Sequence, residues 1–179
     1  TSVTGVQTCA LPIYQCLIAR LCLHCALDAD QVIAARRWVC VNGVARDSEW
    51  FKRWLKTIET FLGVCSEGLR FRRESGCKHC LSGSISSLNG TQGRTVVAEM
   101  IEPITEPFFL EGLKRCDGLG LYEWFHSRPR SHFSDLDMHG KTAMQCAIYK
   151  MSQGLIDPRQ VESKFGSFEL ITQGNRPRA

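Results

Sequence analysis

Apolar residues fall on two rhythms along this chain. From residue 50, Trp50, Phe51, Trp54, Leu55, Ile58, Phe61 and Leu62 recur at helical spacing, with Lys52, Arg53, Lys56 and Glu59 off the stripe. Asp47 or Ser48 supplies the N-cap and Gly63 ends the helix. An aromatic-aliphatic stripe of this kind predicts core. Met144, Ala147, Ile148, Met151 and Leu155 form a second stripe, opened by Thr142 and Gln145 at capping-box spacing. Asp157, Pro158 and Gln160 then read as N-cap, first-turn proline and N3 of a last helix, with Val161 and Phe165 inward and Gly166 closing it. Weaker helical patterns cover 31–38, capped by Asp28 or Asp30, and 108–116 and 119–126, with Thr105 as an N-cap. The other rhythm is extended: 15–21 is a short apolar arm, and 94–101 is rich in β-branched residues. Asn42-Gly43 is a turn signal, and 82–93 is Gly/Ser-rich.

These elements predict an α+β fold, mostly helical. A four-cysteine zinc-knuckle region with a short β unit would occupy 14–102, and a small helical bundle 103–171. A polar tail follows at 172–179. Residues 3–13 resemble the translation of a common sequencing-library adapter. We therefore expect 1–13 to be an artefactual, poorly packed leader, and the natural chain to extend upstream.

Composition narrows the class. The chain has 179 residues, 44% hydrophobic and 22% charged, which is globular. The net charge of +4 is spread over scattered arginines, so no nucleic-acid footprint is expected. No apolar run reaches the roughly 20 residues of a membrane span. Ten cysteines without a secretory leader predict a reducing compartment. Four would be ligands, and Cys9, Cys16, Cys40, Cys65, Cys116 and Cys146 core residues or free thiols.

The ligands are Cys22-Leu-His-Cys25 and Cys77-Lys-His-Cys80. Two residues between thiols let both sulfurs of a hairpin reach one tetrahedral zinc at about 2.3 Å. The segment between the pairs is longer than the commonest zinc-ribbon spacing, and a metal-free knuckle or a disulfide stays open. The βαβ setting of a redox C-x-x-C is absent. His24 and His79, inside the knuckles, are expected to be exposed. Gly140-Lys141-Thr142 lacks the upstream glycine of a phosphate-binding loop, with Asp135 in its place, and reads as a helix cap. His126, His132, Asp135, Asp137 and His139 share one polar loop, a weak hydrolase constellation. No catalytic residue is assigned.

At the knuckles the chain resembles the ATPases of type II secretion and type IV pilus assembly. The likeness runs through 18–25, through Gly76-Cys77-Lys78-His79-Cys80 with Gly93-Arg94-Thr95-Val96-Val97-Ala98-Glu99-Met100, and through 136–157. It implies that Cys22, Cys25, Cys77 and Cys80 bind zinc. It implies the C-terminal region of a hexameric motor powering pilin polymerisation or protein export. That motor is cytoplasmic, peripheral to the bacterial inner membrane, and partners a platform protein there. The family's nucleotide-binding loop, acidic motifs and histidine motif lie upstream. ATP and Mg would belong to that missing core, and the fragment alone is expected to be inactive. Leu23 stands where the family has proline, Cys16 where it has arginine, and both the spacer and the turn before Gly93 are enlarged. Two rivals remain: a stand-alone zinc-binding nucleic-acid or protein interaction module, and a small metal-dependent hydrolase.

Overall fold

The computed structural model describes residues 11–34, 39–41, 44–81, 85–101, 105–128, 132–136 and 140–168. It is α+β. In order come β1 (Leu11–Leu21), α1 (Ala29–Ala34), β2 (Val39–Val41), β3 (Val44–Arg46), α2 (Ser48–Leu62) and β4 (Thr91–Ile101). Four helices follow: α3 (Pro107–Lys114), α4 (Gly118–Ser127), α5 (Ala143–Ser152) and α6 (Pro158–Phe165). β1 pairs with β4, and β2 pairs antiparallel with β3, Cys40 opposite Ala45. Of the leader expected at 1–13, residues 11–13 fall within β1, because the strand begins at Leu11. Residues 1–10, the Asn42-Gly43 turn and the tail lie outside the described residues.

The chain divides into two compact units. One holds 17–96 and 147–179, the other 1–16 and 97–146. This differs from the sequential boundary expected at 102/103: α3 and α4 fall in one unit and α6 in the other. Sequence patterning sees segments, whereas units are set by which segments share contacts.

In the unit holding both cysteine pairs, α2 is organised as its stripe predicts. The Asp47 carboxylate accepts the Trp50 N–H at 2.7 Å, and Gly63 ends the helix. Phe51, Trp54, Leu55 and Ile58 are buried, each worth about 1.5–3 kcal/mol of removal from water. Trp54 packs between Phe51 and Phe168, and its indole N–H donates to Glu162 at 3.2 Å. Trp50 and Leu62 are half-buried, and Phe61 is 56% exposed at the C-terminal end of the stripe.

α6 is capped by Asp157, whose carboxylate accepts the Arg159 N–H, with Pro158 at the first position and Val161 buried. Phe165 is only half-buried. α1 begins earlier than expected, because the Asp28 carboxylate and the Gln31 amide exchange bonds with each other's N–H at 2.7 and 3.1 Å. β2 and β3 were not anticipated as strands; β-branched residues flanking Asn-Gly explain them.

In the other unit α3 and α4 form a helical hairpin. Asp117 caps α4 by accepting the Gly120 N–H. Gly112 lets the helices approach, since a Cβ there would meet Leu121 Cδ2 at 2.5 Å. Thr105 is not the cap of α3: Glu106 holds that position, with no side-chain cap bond, and Pro107 starts the helix. The capping box of α5 is present, Thr142 N–H to Gln145 Oε1 at 2.8 Å and Gln145 N–H to Thr142 Oγ1 at 3.2 Å. Ala147, Ile148 and Met151 of α5, which belong to the cysteine-bearing unit, are buried, while Met144 and, beyond the helix, Leu155 are half-buried.

Candidate metal centre

Each Cys-x-x-Cys folds into the same tight turn. Cys25 and Ala26 N–H groups donate to the Cys22 carbonyl at 3.1 and 2.9 Å. Cys80 and Leu81 N–H groups donate to the Cys77 carbonyl, both at 2.9 Å. The turn brings the two sulfurs of a pair to the same side. What joins the pairs is long-range. An antiparallel bridge, Leu27 with Phe71, has N–H to carbonyl distances of 2.9 and 2.8 Å. It ties the exit of the first hairpin to the approach of the second, and Phe71 is itself fully buried against Phe51.

The second link is Gly90, which sequence reasoning passed over in favour of Gly93. Its carbonyl accepts the Cys22 N–H at 3.0 Å, and its own N–H donates to Cys80 Sγ at 3.3 Å. One residue therefore holds both hairpins. It adopts φ +78°, and a Cβ would fall 2.2 Å from the Arg73 carbonyl oxygen. Only glycine fits there without displacement. Gly93 also has positive φ but open space around it. The Asn89-Gly90 dipeptide, a standard turn signal, was the clue available.

All four sulfurs lie within 4.8 Å of one another. Cys22 to Cys77 is 3.9 Å, Cys25 to Cys80 3.6 Å, and Cys77 to Cys80 3.8 Å. Four ligands on a tetrahedral ion with bonds of about 2.3 Å sit about 3.8 Å apart, so the spacing suits a tetrathiolate site. The distances are far beyond a disulfide's roughly 2 Å, and all four cysteines are free. Cys22, Cys25 and Cys80 are buried and Cys77 is half-buried. The four candidate ligands read from the sequence are thus together.

Electrostatics distinguishes them. Burial pushes the Cys22 and Cys25 thiols up, and neighbouring thiols push Cys25 further. Burial also opposes ionisation of Cys80, but N–H donors from Cys77 at 3.2 Å and from Gly90, together with the Cys25 and Cys77 thiols, outweigh it and hold that thiol down to about 7. Four thiolates this close repel one another strongly, and a divalent cation is the charge that relieves them.

His24 and His79 are exposed, as expected, and outside the cluster. Their rings stack at 4.1 Å between centroids, a contact the sequence did not signal. Of the hydrolase loop, His132 and Asp135 are described; Asp137, His139 and the His126 side chain are not. Asp135 accepts the His132 N–H at 2.8 Å, and His132 Nδ1 bonds Ser134 Oγ at 2.6 Å, so the two residues stabilise their own turn. Lys141 is buried and donates to the Asp135 carbonyl, which agrees with rejecting a phosphate loop. Among the remaining cysteines Cys146 is core, while Cys65 and Cys116 are exposed thiols.

No family model matches the chain, and no curated protein matches it. No helix among the described residues is long and apolar enough to cross a membrane.

Proposed function

We propose that Cys22, Cys25, Cys77 and Cys80 hold one structural zinc ion. The reading rests on one observation: four sulfurs from distant hairpins converge at tetrahedral spacing. A closed four-thiolate site leaves no open position for substrate, so its contribution is folding energy. The ion would clamp the first hairpin to the second, and through β1 and β4 to the rest of the unit. Purified chain should carry one zinc per molecule by elemental analysis, and Cys77→Ser should not. Wild type without zinc after metal-replete expression would end this reading.

We further propose that the chain is the C-terminal, zinc-pinned region of a hexameric secretion or type IV pilus ATPase. Its support is the resemblance of 18–25 and 76–100 to that family's knuckles, together with the helices that close the chain. In this reading the ATPase core lies upstream and supplies ATP and Mg binding, and the knuckle is a rigid strut between that core and a membrane platform. α3 to α6 would form the motor's closing helical region. Recovery of the full reading frame is the test. An upstream segment encoding a phosphate-binding loop supports the assignment; an upstream segment of another fold removes it while leaving the zinc site untouched.

A further inference from the structure

We propose that the groove between β1 and α6 docks an extended, acidic segment of a partner protein, which pairs with β1 as an added strand. The groove has a volume of about 450 Å³ and lies wholly within the cysteine-bearing unit. Leu17, Ile18 and Ala19 form one wall and α6 the other. Side chains of a strand alternate between faces, so three successive residues lining one groove mean that the strand presents its edge.

Backbone bonding agrees. β4 takes one side of β1, and the Cys22 N–H points that way, to Gly90. The Leu21 N–H points the other way, to the Leu155 carbonyl at 2.8 Å. By the two-residue period, the N–H groups of Ala19 and Leu17 share that second side. Leu155 thus occupies the edge at its end and, among the described residues, leaves the stretch beside the groove as a template for a further strand. The Leu17 side chain, 56% exposed, offers apolar contact along it.

Charge selects the occupant. Asp157 is committed to Arg159 at 2.6 Å and to the Arg72 N–H at 2.7 Å. The Arg72 guanidinium donates to the Ser87 carbonyl. Lys164 is exposed on α6 and makes no ion pair among the described residues. Arg72 and Lys164 thus outweigh Glu74 on the groove walls. The chain's own C-terminal tail, with Arg176 and Arg178 against Glu169, has the wrong balance to complement them. A helix beside a strand edge, with Arg72 and Lys164 outside any ion pair among the described residues, fits an extended acidic peptide, which supplies both backbone partners and carboxylates.

The test is fluorescence anisotropy on the full, zinc-loaded chain, with a labelled peptide of alternating glutamate and valine. Binding should weaken with salt, and Lys164→Glu should weaken it by about fivefold or more without changing zinc content or melting temperature. The lysine-valine peptide should bind far less, and N-methylation of alternate residues in the acidic peptide should abolish binding. Absence of binding, indifference to Lys164→Glu, or equal binding of the N-methylated probe would overturn the proposal. Displacement of the peptide by oligothymidylate at lower concentration than by unlabelled peptide would also overturn it, in favour of nucleic acid. Zinc content is read separately, so failure here leaves the metal assignment standing.

Discussion

In the first cysteine hairpin burial drives the thiols toward their protonated form; in the second, burial acts the same way on Cys80, but two backbone N–H groups and the neighbouring thiols overcome it and draw Cys80 down to about 7. The turns are superimposable in their bonding, with the same N–H to carbonyl pattern in each. Their electrostatic difference comes from surroundings. Cys80 is met by Gly90, while Cys22 and Cys25 are enclosed with few donors. The contrast divides the ligands: Cys80 is prepared to carry charge, and Cys22 and Cys25 become charged only when a cation arrives.

The sharpest way to break this comparison is to remove the cation. Chelation, or Cys77→Ser, should destabilise the cysteine-bearing unit by on the order of 5 kcal/mol or more, because the binding energy of a structural zinc is folding energy. Thermal unfolding followed by circular dichroism, with and without chelator, reads this directly. An unchanged melting temperature would mean that the hairpins hold together without metal.

Gly90→Ala attacks the shared link rather than the ligands. Strain at φ +78° and the clash with the Arg73 carbonyl should cost more than about 2 kcal/mol. Zinc affinity should fall although all four thiols remain. Retention of wild-type affinity in a competition assay with a chromogenic chelator would show that Gly90 is only a neighbour.

Acidification sharpens the comparison through protons. Zinc requires thiolates, so metal-dependent stability is present at neutral and alkaline pH and is lost as pH falls. The metal-free chain differs. The raised thiols Cys22 and Cys25 stabilise it below the ordinary thiol range and lose that contribution as pH rises through their folded values. The lowered Cys80 contributes above the ordinary thiol range and loses it as pH falls through about 7. Raising pH into the thiol range should therefore weaken the metal-free chain through its first hairpin while the zinc-loaded chain holds. Denaturant titrations of both forms across pH measure the divergence; parallel curves would refute it.

The smallest effect is expected at the histidines. His24→Ala should change stability by less than about 1 kcal/mol, the value of one exposed ring contact, and leave zinc bound. Loss of metal in that variant would make the imidazole a ligand and undo the assignment of four sulfurs.

Much of the local structure was legible along the chain. Asp47 and Gly63 bracket α2, Thr142 and Gln145 form their reciprocal box, and Asp157 caps α6, because each signal acts within one helical turn. Thr105 misled because the proline at 107 sets the helix start whatever precedes it. β2 and β3 were missed because short strands carry little periodicity. The exposed end of α2 at Phe61 shows that a stripe marks what can be buried, and the neighbouring segments decide what is.

The four thiols, their pairing into two tight turns and the helices flanking them were determined by sequence alone, since turn geometry and caps depend on residues a few positions apart. That the pairs meet, that Gly90 joins them and that the imidazoles stack were decided only by the tertiary structure. Those contacts join residues far apart along the chain. Closing such loops is governed by the summed packing of Phe71, Trp54 and their neighbours, which no local pattern records.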